Sequence, residues 1–168
     1  VTWDWLLHSP VKFKIDNKNN ELTTRYDNKM FTSVAQIFSN QPCEITQTDQ
    51  FVCPPDPKKM KKGQENKYVN QWHMTAKFQP STANRILTVI RIQPDGQKEL
   101  KVNRKGNMFN CERWNIKAEL DPVKPAALQI VNTKNNATFS LGNDDVKIGD
   151  TTYKRLEKGS SVLYDNID

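Results

Sequence analysis

A chain of 168 residues can bury the core of one ordinary domain, and none of its apolar runs reaches the roughly 18 residues that a membrane-spanning helix needs. Its 25 Lys and Arg against 19 Asp and Glu leave a net charge of +6. That balance suits an acidic partner but argues against nucleic acid, because the aromatic residues are not interleaved with the basic run as a base-stacking platform requires. Asn, Lys and Thr are frequent, helix-favouring Ala and Leu are sparse, and 9 Pro and 6 Gly punctuate short runs of Val, Ile, Thr, Phe and Trp. The expected fold class is all-β, with little or no helix.

The first expected strand is Trp3 to His8, where Trp3, Trp5 and Leu7 make an apolar face and Asp4, Leu6 and His8 point the other way. Ser9-Pro10 ends it. Val11 to Ile15 alternates with its odd positions inward, Asp16 to Asn20 turns, and Glu21 to Tyr26 returns as the partner. Lys29 to Phe38 reads as one kinked strand or a strand pair, and Pro42 to Val52 as an extended segment, polar on one face. Three prolines and four lysines between Pro54 and Gly63 cannot enter a sheet interior, so this stretch is expected to be an exposed loop.

Trp72, Met74, Ala76 and Phe78 share one face of the next strand. Ile86 to Ile92 is nearly continuous apolar, the pattern of a strand covered on both sides. Pro94-Asp95-Gly96 and Lys105-Gly106-Asn107 are turns. Trp114 to Leu120, a hairpin of Ala127 to Val131 with Thr138 to Leu141, and short strands at Val146–Ile148, Thr152–Tyr153 and Ser161–Tyr164 close the chain. Strands every eight to twelve residues predict an antiparallel β-sandwich of two stacked sheets, with residues 1–168 as a single region and a sub-boundary near 121–125. The three cysteines, Cys43, Cys53 and Cys111, have no metal-type spacing and are expected to be free; a Cys43–Cys53 bridge depends on their facing each other across a hairpin.

Three stretches, taken in order, resemble a known family. They are Trp5-Leu6-Leu7-His8-Ser9, then Gln47-Thr48-Asp49-Gln50-Phe51, then Asn70-Gln71-Trp72-His73-Met74-Thr75 with Asn84-Arg85-Ile86-Leu87-Thr88-Val89. Spanning residues 3 to 92, they are similar to the C-terminal β-sandwich of the heparinase II/III-like polysaccharide lyases, and the rest of the chain fits as closing strands. The resemblance implies a C-terminal piece of a larger bacterial enzyme, periplasmic or extracellular. That enzyme would break uronate-containing acidic glycans by β-elimination, in a cleft between this sandwich and an α/α toroid. The catalytic Tyr and His residues of such enzymes lie mostly on the toroid side. No catalytic residue is therefore expected here, and the chain alone is expected to be inactive.

The expected partners are the acidic polysaccharide and the toroid, with no nucleic acid and no membrane span. No cofactor is expected in this chain by itself, although the resemblance implies zinc in the intact parent. There His8 would be a ligand beside a His and an Asp from strands upstream of residue 1, and a merely hydrogen-bonded His8 stays open as the alternative. His73 has no role in this reading. Lys58, Lys59, Lys61 and Lys62 are the candidate carbohydrate contacts, with a merely solvated loop as the alternative. Asp49 is expected to hold backbone N–H groups in a turn, and the four tryptophans to sit in the core. The competing function is a free-standing carbohydrate-binding module for acidic polysaccharide.

Overall fold

The computed structural model describes residues 1–25, 31–50, 71–98, 100–142, 146–148, 151–153 and 161–163. In chain order its strands are β1 (Trp3–Ser9), β2 (Lys14–Asp16), β3 (Glu21–Arg25), β4 (Phe31–Ser39), β5 (Cys43–Thr48), β6 (Trp72–Phe78), β7 (Ile86–Pro94) and β8 (Asn103–Lys105). There follow β9 (Met108–Cys111), β10 (Trp114–Ala118), β11 (Ala127–Asn132), β12 (Thr138–Gly142), β13 (Val146–Ile148), β14 (Thr151–Tyr153) and β15 (Ser161–Leu163). The protein is an all-β sandwich protein with antiparallel sheets. Among the described residues no helix is long and apolar enough to cross a membrane.

The chain divides into two compact units, one of Val1–Thr82 with Thr88–Gln97, the other of Ala83–Leu87 with Lys98–Asp168. The first holds a three-stranded sheet in the order β1-β6-β5 and a four-stranded sheet in the order β2-β3-β4-β7. Alternation along β6 buries Met74, Ala76 and Phe78, with Ile45 of β5 on the same face; in the other sheet Leu22, Ala35 and Ile37 are buried on one face and Val34 on the opposite one. Phe13, just before β2, is buried as expected. Its backbone is bracketed by one side chain: the Phe13 N–H donates to Gln47 Oε1 at 3.0 Å, and Gln47 Nε2 donates to the Phe13 carbonyl at 2.9 Å. The turn between β2 and β3 is drawn in by Asp16, whose carboxylate accepts from the Lys18 N–H at 3.0 Å and from Asn19 Nδ2 at 2.7 Å. The Asn19 amide holds this carboxyl below its ordinary range. Asn20, in the left-handed region at φ 47°, completes the reversal, a conformation Asn tolerates better than most residues.

The strand at residues 86–94 departs from the expectation of cover on both faces. It lies at the end of its sheet, beyond β4. Its buried residues are polar, Arg91 and Gln93 at 6% exposure each, while Ile90 and Ile92 are 51% and 72% exposed. Arg91 Nη2 donates to Glu21 Oε2 at 3.3 Å, and Thr32 Oγ1 donates to Asp95 Oδ1 at 3.2 Å. These contacts put the odd residues of β7 on the face that carries Glu21, Thr32 and the buried Val34 and Gln36, and the period of two then turns the isoleucines the other way. The turn after β7 is as expected: the Gln97 N–H donates to the Pro94 carbonyl at 3.4 Å, and Gly96 takes φ 81°, which a side chain would strain.

The second unit holds a six-stranded sheet, β15-β12-β11-β10-β9-β8, and a β13-β14 ribbon. One face buries Phe109, Cys111, Ile116 and Ala118. The turn at residues 105–107 has Gly106 at φ 60°, and the hairpin of β11 with β12 forms where the sequence places it, with Asn136 at φ 58°. β9 was not expected from the sequence. It is tied to β10 by a turn through Glu112, which carries φ 49° without the Gly or Asn that normally announces such a turn.

Residues 121–125 lie inside this unit, gathered around Arg85. Its Nη1 donates to the Glu119 carbonyl at 3.1 Å, and its Nη2 donates to the carbonyls of Lys124 at 2.6 Å and Pro122 at 3.4 Å. A prolyl-rich bend whose carbonyls would otherwise look only to water is thereby closed on one guanidinium.

Candidate functional site

The outward face of the sheet β1-β6-β5 carries polar residues in transverse rows, because neighbouring strands are in register and alternate residues share a face. One row is Asp4, Lys77 and Glu44, an acid-base-acid ladder; the next is Leu6, Thr75 and Thr46; the third is His8, His73 and Thr48. Opposite charges facing each other across strands favour this register by roughly 0.2–1 kcal/mol per pair. Leu6 interrupts the polar pattern and is 58% exposed.

His8 thus stands directly opposite His73. His8 Nε2 and His73 Nδ1 are 3.4 Å apart, with ring centroids at 4.5 Å and the planes at 71°. Just beyond this row β1 stops: Ser9 is buried and its Oγ accepts the Val11 N–H at 3.1 Å, a local bond that turns the chain through Pro10. The segment so turned places Lys12 Nζ 4.8 Å from the centre of the Trp72 ring. That cation–π contact covers the opposite side of β6 from His73.

His8 lies where its sequence pattern puts it, on the polar face of β1. His73 is the functional candidate that the sequence reading passed over. Both histidines show the right parity in the sequence, yet only the pairing register of β1 with β6 reveals that they meet. Zinc, which the resemblance implies for His8, can be tested against this geometry. Two nitrogens bound at about 2.0–2.1 Å around a tetrahedral ion lie roughly 3.4 Å apart, so the two imidazoles fit half of such a ligand set. Among the described residues no group of three or more His, Cys, Asp or Glu converges to complete it.

The other candidates are dispersed. Lys58, Lys59, Lys61 and Lys62 lie outside the described residues, as does Cys53. Asp49 Oδ1 accepts from the Gln50 side-chain amide at 2.9 Å, whereas the turn N–H of Gln50 is held by Thr48 Oγ1 at 3.1 Å. Cys43 is a free thiol and Cys111 is buried, and burial pushes the Cys43 thiol above its ordinary range. Trp5 and Trp72 are half-buried, but Trp3 and Trp114 are more open than their alternation suggests. Trp3 Nε1 donates to the Ser81 carbonyl at 3.3 Å, and the Arg113 guanidinium lies 5.9 Å from the Trp114 ring. No protein-family model matches the chain, and neither does any curated protein.

Proposed function

We propose that this chain is the non-catalytic β-sandwich portion of a heparinase II/III-like polysaccharide lyase, completing the glycan cleft and supporting an α/α toroid. The observation that supports it best is the inverted strand β7, which turns Ile90 and Ile92 outward while Arg91 and Gln93 are buried. Apolar side chains held outward from an edge strand suit a surface that another domain covers. The exposed Leu6 is a second apolar position of this kind. In this reading the chain works in a periplasmic or extracellular setting. Zinc at His8 belongs to the intact enzyme and would tie the edge strand β1 to its surroundings, with no part in the elimination. The test is to incubate the chain with alginate, hyaluronan and heparan sulfate and follow the ultraviolet absorbance of the unsaturated product. No rise is expected; a rise would show that the chain carries its own base and acid.

A second reading, a module that binds acidic polysaccharide, is favoured by the outward face of β8, β9 and β10. There Asn103, Asn110 and Asn115 stand in one row and Lys105, Met108 and Lys117 in the next, with no carboxylate among them. Asn110 Nδ2 donates to Asn115 Oδ1 at 2.6 Å, which fixes the amide row for hydrogen bonds to hydroxyls. Calorimetry with the same glycans separates the readings. A binding module gives saturable, salt-sensitive heat that falls when Lys58, Lys59, Lys61 and Lys62 become Ala, whereas a pure support gives none.

A further inference from the structure

We propose that His8 and His73 form a two-imidazole chelate for a divalent transition metal, built wholly from this chain. The chain has two histidines in all, and the fold brings those two face to face. Directly paired residues on adjacent antiparallel strands hold their Cβ atoms about 4.5–5.5 Å apart, close enough for two imidazoles to reach one ion. The separation of His8 Nε2 from His73 Nδ1 is 3.4 Å. That exceeds the usual length of a good N–H hydrogen bond, about 2.7–3.2 Å, and agrees with the roughly 3.4 Å bite of two nitrogens on a tetrahedral ion. The last side-chain torsion of His is soft, so a modest rotation of each ring aims both lone pairs at one point.

His8 is exposed, so an ion reaches the pair from solvent. The carboxylates of this face, Asp4 and Glu44, share a row with Lys77 and are two rows away, about 13 Å along the strands. Among the described residues neither carboxylate of this face reaches the pair, which leaves coordination positions open to water. Imidazole donors suit Cu2+, Ni2+ and Zn2+, and affinity should follow the order in which Cu2+ exceeds the other two. The bound ion would clip the edge strand β1 to the central strand β6. This inference does not depend on the lyase reading. It also differs from the ligand set which the family resemblance implies, since His73 takes the place of partners from outside the chain.

The test uses the whole chain without an affinity tag, stripped with a chelator and titrated with Cu2+ and Zn2+ by calorimetry. One ion per chain is expected, tighter for Cu2+. His8→Gln and His73→Gln should each weaken binding at least about tenfold, the scale on which even supporting groups around a metal act. Their thermal midpoints in chelator should match that of the parent chain, and the rise that metal produces should vanish. Pulsed electron paramagnetic resonance of the Cu2+ complex of the unsubstituted chain counts bound imidazoles, and so decides the matter if a variant fails to fold. Two imidazoles are expected. A single imidazole, no saturable binding, or unchanged affinity in His73→Gln would overturn the proposal.

Discussion

β6 and β7 follow one another in the chain, and they use their side chains in opposite ways. β6 buries Met74, Ala76 and Phe78 and turns His73, Thr75 and Lys77 outward. β7 buries Arg91 and Gln93 and exposes Ile90 and Ile92. They also differ in position: β6 is the central strand of its sheet, with partners on both sides, whereas β7 ends its sheet beyond β4. Alternation says which residues share a face. It does not say which face the neighbouring layer will cover.

The largest effect should come from breaking the regular strand. Phe78→Ala removes a side chain that is almost wholly buried and should cost about 3–5 kcal/mol in urea unfolding, with the loss of cooperativity as an accompanying sign. A loss under about 1 kcal/mol would mean that the face of β6 is not packed as described.

The inverted strand offers the next. Arg91 is buried with its Nη2 on Glu21, while its Nε and Nη1 have no hydrogen-bond partner among the described residues. Arg91→Ala should cost about 2–3 kcal/mol, tempered because Glu21 keeps some water. Arg91→Met should recover most of that loss, since a buried charge with unmet donors is costly to keep. If Met is no better than Ala, the guanidinium is better satisfied than the geometry indicates.

Smaller still is the outward face of β7. Ile92→Thr should shift stability by no more than about 0.5 kcal/mol, the usual range for exposed positions, whereas Ile37→Ala in the neighbouring β4 should lose about 2–5 kcal/mol. Equal losses would erase the contrast between the two faces.

The last effect concerns Cys43, which pairs across from Phe78. Its thiol is pushed up by burial, so the folded state holds its proton longer than the unfolded state does. The stability linked to this thiol is whole below the ordinary thiol range near 9.0 and declines as pH rises through and beyond it. Alkylation of Cys43 in the folded chain should accordingly lag behind an unstructured thiol at the same pH. An equal rate would place the thiol in water.

Much of this architecture was legible because strands announce themselves by period and turns by residue type. The extents of β1, β6 and the β11–β12 hairpin follow from alternation, and the turns at Gly96 and Gly106 from the need for positive φ. β9 was hidden, because Glu112 makes its turn without any of the usual residues and Met108 to Cys111 is too short to show a period. The inversion of β7 was hidden too: Ile, Val and Leu in a row look doubly covered, and only the folded chain shows Ile90 and Ile92 open with Arg91 and Gln93 buried. The histidine pair was half legible. Each ring could be assigned to an outer face, but a contact 65 residues apart in sequence depends on strand register, which no single stretch contains.

β7 turns its isoleucines out and its polar residues in. Ile92→Cys and Gln93→Cys, labelled with a thiol reagent in the native state and mapped by mass spectrometry, test that directly. Ile92→Cys should react at nearly the rate of a free thiol, and Gln93→Cys should resist until denaturant is added. Comparable rates at the two positions, or faster labelling in Gln93→Cys, would contradict the inverted strand and remove the best support for a surface that another domain covers.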